Sequence, residues 1–163
     1  MKILVTAPEG VIRESFIPKQ VRDRLEAVAE VEYNTLNRNF TPEELRDRLH
    51  GVDVALTGWG TTLFDEQVLA GADRLKLIAH TGGSVTPVMS DEAYDRGIRV
   101  ISGNEMYAES VAESVIAYAL TALRRIPDYL ERTKNGGWYE NGEVWEGLLD
   151  QTVGIIGFGM TSR

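Results

Sequence analysis

Over the first two thirds of the chain, short apolar runs alternate with amphipathic stretches. The runs fall at residues 3–5, 31–36, 52–56, 75–79 and 98–101 and are rich in branched residues. Runs of that length and branching suit strands buried on both faces of a parallel sheet. Between them lie helical patterns at 18–29, where Val21, Leu25 and Val28 share one face, at 41–50 and at 64–70, with a short turn at 90–96. The second has the clearest start: Thr41 can cap, Pro42 takes the first helical position, and Glu44 completes a capping box.

Strand–helix alternation with connections of this length predicts an α/β fold, a flavodoxin-like doubly wound parallel sheet of five strands in the order 2-1-3-4-5. A longer helical pattern follows at 108–133, with Val111, Val115, Tyr118, Ala119, Ala122, Leu123 and Ile126 at helical spacing. Pro127 kinks or restarts that helix and Asn135-Gly136-Gly137 ends it. Trp138, Tyr139 and Trp145, set among Glu and Gly over 138–147, read as an ordered loop before a sixth strand at 152–157. The expected boundary lies near Gly103-Asn104. Residues 1–103 form the first domain, and 104–163 form a connecting helix, the Trp-containing loop and the first strand of a second.

Composition narrows the function. With 163 residues and 43% apolar content the chain can bury a core. A net charge of −8 argues against nucleic acid and anionic membrane as partners, since both recruit clustered Lys and Arg. Cysteine is absent, which removes disulfides and thiolate chemistry, and only His50 and His80 supply imidazole. The N-terminus enters a strand pattern at once, and no apolar run reaches the about 18 residues of a membrane span, so a cytoplasmic location is expected.

In doubly wound sheets ligands bind at the carboxyl ends of the strands, here residues 6–10, 57–60, 80–84 and 102–104. Glycines in these segments let backbone amides approach a ligand. Thr81-Gly82-Gly83-Ser84 reads either as an amide nest for a carboxylate or as a plain turn. His80 either faces a substrate or is structural, and Trp59, between two glycines, either walls a pocket or packs. His50 reads as a C-terminal helix residue that complements the dipole. The carboxylates of a phospho-receiver are missing from their places at Thr6-Ala7-Pro8 and Thr57-Gly58, and Ala7-Pro8-Glu9-Gly10 lacks the hydroxyls of a flavodoxin phosphate loop.

The end of the chain carries Gly157-Phe158-Gly159-Met160-Thr161-Ser162 after an apolar run. That pattern reads as a GxGxx(small) dinucleotide turn with a helix starting near Met160, or as an ordinary strand–turn ending. A ribose-reading residue would follow about 20 residues on.

Three segments together resemble the D-isomer-specific 2-hydroxyacid dehydrogenases, the family of phosphoglycerate and glyoxylate/hydroxypyruvate reductases. They are residues 75–85; Gly103-Asn104 with Ser110-Val111-Ala112-Glu113; and Gly136-Gly137-Trp138 leading to 152–159. The resemblance implies a flavodoxin-like substrate domain with a Rossmann domain inserted in it and the active site between them. It implies that the Gly83 and Ser84 amides hold the carboxylate of a small 2-oxo or 2-hydroxy acid, and with Gly82 and the strand-end candidates Trp59 and His80 these make up the expected substrate site. It implies NAD or NADP as cofactor, with Ser110, Gly157, Phe158, Gly159, Met160 and Thr161 at the cofactor, and a homodimer formed through the long helix and the Trp138 loop. Departures are Ser84 and Thr86 for a glycine and an aspartate, Met160-Thr161 for Arg-Ile, and Ser162 for the third glycine.

The family's catalytic arginine, glutamate and histidine have no counterpart here, and His80 does not replace that histidine. The chain is therefore expected to be the N-terminal portion of such an oxidoreductase, inactive and without bound cofactor on its own. The competing expectation is a non-catalytic flavodoxin-like module that binds a ligand and self-associates.

Overall fold

A computed structural model of the chain describes residues 1–138 and 142–163; Tyr139, part of the expected aromatic loop, lies outside them. Five strands form, β1 (Lys2–Val5), β2 (Glu30–Tyr33), β3 (Val54–Thr57), β4 (Leu77–His80) and β5 (Arg99–Ser102). All pair in parallel, in the order β2-β1-β3-β4-β5. Side-chain alternation in β1, which is paired on both sides, divides the interior. Leu4 joins one buried cluster, Ile3 and Val5 join another, and all three are almost wholly buried.

The helices sort by the same division. Ile17, Val21 and Leu25, on or beside α1 (Val11–Phe16) and α2 (Lys19–Glu26), complete the cluster around Ile3 and Val5. Leu45, Val68 and Ala93, from α3 (Pro42–Arg48), α4 (Glu66–Leu69) and α5 (Asp91–Asp95), pack around Leu4, Ala55 and Ile78. The chain thus changes faces after β2, and the strand order reverses between β1 and β3, where a doubly wound sheet opens a crevice. The capping box starts α3: Glu44 N donates to Thr41 Oγ1 at 3.3 Å, and Thr41 N donates to Glu44 Oε2 at 2.8 Å.

Four sequence expectations need correction. Helix α1 was not anticipated, because its pattern is inverted: Val11 is 82% exposed while Arg13 is buried and donates from Nη1 to the Asn34 carbonyl at 3.1 Å. Helix α2 ends at Glu26, so Val28 falls in the following turn and is exposed. The long helix begins earlier, as α6 (Asn104–Leu123); it restarts at Pro127 as expected, in α7 (Ile126–Lys134), with Arg125 in the left-handed region at φ 52°. Residues 152–157 form no strand, and Val153, Ile155 and Ile156 are exposed. A strand exists through its ladder of backbone hydrogen bonds, and no neighbouring backbone pairs with this segment among the described residues.

The chain divides into two compact units, Met1–Asn104 and Glu105–Arg163. In the second, Trp145 Nε1 donates to Tyr129 Oη at 2.6 Å, and Tyr129 Oη donates to Glu143 at 2.8 Å. Arg132 pairs with the same carboxylate at 2.7 Å, so one acidic residue ties the loop to α7. Among the described residues no helix is long and apolar enough to cross a membrane.

Candidate functional site

The parallel register sets Thr57 beside His80 at the carboxyl ends of β3 and β4. Thr57 Oγ1 stands 2.9 Å from His80 Nδ1, and both residues are buried. Burial holds the His80 pKa below its ordinary value, so the ring is neutral at neutral pH. The Thr57 carbonyl accepts from Thr81 N at 2.9 Å and from Thr81 Oγ1 at 3.0 Å. From the other side, Gly103 N donates to the carbonyls of His80 and Gly82, each at 3.0 Å. The turn after β4 is therefore fixed by both neighbouring strands.

Gly82 is there for space. A Cβ at that position would stand 2.5 Å from His80 Nε2 and 3.1 Å from Trp59 Nε1, so the backbone lies directly against both rings. Trp59 is itself braced. Phe16 meets its ring edge-on at 4.8 Å and 70°, and the Gly60 backbone at φ +72° leaves no room for a side chain beside Asn39. Behind the Trp59 loop, Gly58 N donates to Thr61 Oγ1 at 3.2 Å, and the Thr61 hydroxyl lies 3.0 Å from that of Thr6.

These loops enclose a cleft of about 340 Å³ lined by Trp59, Gly60, His80, Gly83, Ser84, Pro87 and Val88. The structure thus brings Trp59, His80, Gly83 and Ser84 together, with Gly82 seated behind them against the imidazole. Among the described residues no lysine or arginine lines the cleft. Its chemistry is a neutral imidazole, an indole, one hydroxyl and the backbone of a glycine turn. Sequence reasoning placed Thr57 at a strand end without pairing it with His80, and passed over Pro87 and Val88. Thr57 had a signal, because the order 2-1-3-4-5 makes the ends of strands three and four neighbours. His50 does not line this cleft; it is exposed, with Nδ1 3.8 Å from Asp73.

The residues assigned to a cofactor lie in the second unit. Ser110 is exposed on α6, and its carbonyl accepts from Ser114 Oγ at 2.9 Å. Gly157 has φ +88°, Phe158 is 72% exposed, and Gly159 precedes a single 3-10 turn, Met160–Ser162, that contains Thr161. A dinucleotide cradle needs a strand leading into the turn and a helix whose aligned amides meet the pyrophosphate. The described residues supply neither, so by themselves they do not fit NAD(P).

An open parallel sheet with a glycine turn and a cleft at the ends of adjacent strands defines an α/β domain of the doubly wound class. Residues 11–158 match the model of the D-isomer specific 2-hydroxyacid dehydrogenase catalytic domain, and the chain belongs to that family. It is 38% identical over 100 residues to human glyoxylate reductase/hydroxypyruvate reductase, covering 58% of this chain and 30% of that protein. The mouse glyoxylate reductase/hydroxypyruvate reductase is 33% identical over 169 residues, covering 98% of this chain and 48% of the relative. An acyclic imino acid reductase, solved in complex with NADPH and D-Arg, shares the fold at TM-score 0.79 and 22% identity, over 99% of this chain and 50% of its own. The chain therefore spans half or less of the length of these proteins.

Proposed function

We propose that this chain supplies the substrate-holding domain of an oxidoreductase that interconverts small 2-oxo and 2-hydroxy acids. The observation that carries the reading is the pinned turn after β4, which presents Gly83 and Ser84 to the 340 Å³ cleft beside a neutral His80. Successive amides in such a turn receive a carboxylate without a charged side chain. In this reading Gly83 N and Ser84 N hold the carboxylate, Gly82 lets the turn settle on His80, and Trp59 walls the cleft. NADH or NADPH is the hydride donor, with Ser110 and 157–161 at its edge, and it is held chiefly by regions of the longer relatives that these residues do not align with. The domain division of the proposal follows the two compact units.

Calorimetric titration of the 163-residue chain with glyoxylate and with hydroxypyruvate tests the anchor. Binding is expected in the millimolar range, about −4 kcal/mol, and it should disappear in Ser84→Pro, which removes one amide donor. Equal binding by that variant would overturn the assignment. The same chain with NADH or NADPH is expected to reduce neither acid, and measurable turnover would contradict the division of labour.

A second reading rests on the second unit, where Val111, Val115, Ile116, Tyr118, Ile126, Leu130 and Trp138 are all at least 47% exposed. An apolar surface of that extent suits association with a second copy through α6, α7 and the Trp138 loop. Light scattering showing only monomer at tens of micromolar, an order-of-magnitude choice within the ordinary association range, would remove it.

A further inference from the structure

The cleft has walls of unlike character. The β4 turn offers amides and the Ser84 hydroxyl, whereas Trp59, Pro87 and Val88 offer apolar surface. Trp59 stands next to the turn, its Nε1 3.1 Å from where a Gly82 Cβ would be, so an acid held by Gly83 and Ser84 carries its C3 substituent close to the indole. The indole is held by the Phe16 edge contact. Among the described residues the cleft lining contains no lysine or arginine to meet an anionic substituent, and His80 is neutral there.

We infer that Trp59 selects the substrate class, favouring 2-oxo acids with an uncharged, apolar C3 substituent over phosphorylated ones. The inference rests on the carboxylate reading of the Gly83–Ser84 turn and adds the identity of the group on the other side of the molecule. An apolar substituent gives up its hydration to lie on the indole, Pro87 and Val88. A phosphate placed there loses water and gains no cation, which is a net penalty. The difference made by a single methylene in an apolar pocket is about 10- to 200-fold in discrimination. The smallest acid, glyoxylate, has no substituent to place and gains nothing from the wall.

The test uses the ¹⁵N-labelled 163-residue chain, titrated separately with 4-methyl-2-oxopentanoate, glyoxylate and 3-phosphohydroxypyruvate. The Gly83 and Ser84 amides report the anchor, and the Trp59 indole N–H reports the wall. The expected result is a shift at all three groups with 4-methyl-2-oxopentanoate, and an affinity about tenfold or more above those of the other two acids. Trp59→Ala should bring the three affinities together, and Trp59→Arg should reverse the order in favour of the phosphorylated acid. Trp59 is 59% exposed, so neither change disturbs the core. Equal affinities, or tighter binding of the phosphorylated acid, with Gly83 and Ser84 still responding, would overturn the selectivity and leave the anchor standing. Silence of the Gly83 and Ser84 amides with every acid would overturn the anchor and the inference together.

Discussion

Replacing Gly82 by alanine tests how the candidate site is built. Gly82 is not among the glycines with positive φ, so alanine carries no backbone penalty there and the effect is steric. The new Cβ would stand 2.5 Å from His80 Nε2 and 3.1 Å from both His80 Cδ2 and Trp59 Nε1. The imidazole is buried and held at its opposite edge by Thr57 Oγ1 at 2.9 Å, so it can retreat only by giving up that contact. Overpacking costs about 1–3 kcal/mol and a lost neutral hydrogen bond about 1 kcal/mol. Because retreat trades one cost for the other, a destabilisation of about 2 kcal/mol is expected. Urea unfolding followed through the Leu4 and Ala55 amides gives the number. The decisive comparison is His80→Ala, in which the obstructing ring is gone. In that background Gly82→Ala should cost less than about 0.5 kcal/mol, a coupling well beyond the scatter expected for independent sites. Additive costs would refute the account of Gly82 as the seat of the turn on His80.

Thr41→Ala removes the Oγ1 acceptor of the Glu44 amide while leaving the Thr41 N–H free to donate to Glu44, and should destabilise α3 by about 1 kcal/mol, read from urea unfolding. Arg38 beside Glu44, with help from the Thr41 amide, holds the Glu44 carboxyl down to about 2. Carboxyl ¹³C titration should show that value, and Arg38→Ala should move it up toward the ordinary range. Its contribution to stability is present above the unfolded carboxylate range and is lost as pH falls through about 2. For His80 burial lowers the folded pKa below the unfolded 6.5, so the unfolded chain takes up the proton first. Stability from this group is full above that pH and declines as pH falls below it. The urea midpoint of His80→Gln should show a shallower acid decline than that of the unchanged chain.

The parts of the fold written locally were legible. Each of the five apolar runs in the first 103 residues marked a strand to within a few residues, because short branched runs flanked by turns leave few alternatives. The Thr41 box announced α3 because all its partners lie within one turn. Helix α1 was hidden because its environment is non-local. Arg13 is buried for the Asn34 carbonyl, which belongs to the end of β2, while Val11 faces outward. The strand expected at 152–157 has the composition of one, yet strand formation depends on a neighbouring backbone that composition does not report. At the site, the glycine turn and Trp59 could be read from residue type and position. The seat of Gly82 on His80, the Thr57 contact and the Thr6–Thr61 pair behind Gly58 arise only when β1, β3 and β4 are laid side by side.

The direct test of the carboxylate anchor is a crystal structure of the chain soaked with 4-methyl-2-oxopentanoate. The account predicts carboxylate oxygens at about 3 Å from Gly83 N and Ser84 N, with the alkyl group against Trp59. A carboxylate bound instead at the polar cleft lined by Arg13 and Arg22, with the β4 turn empty, would contradict it.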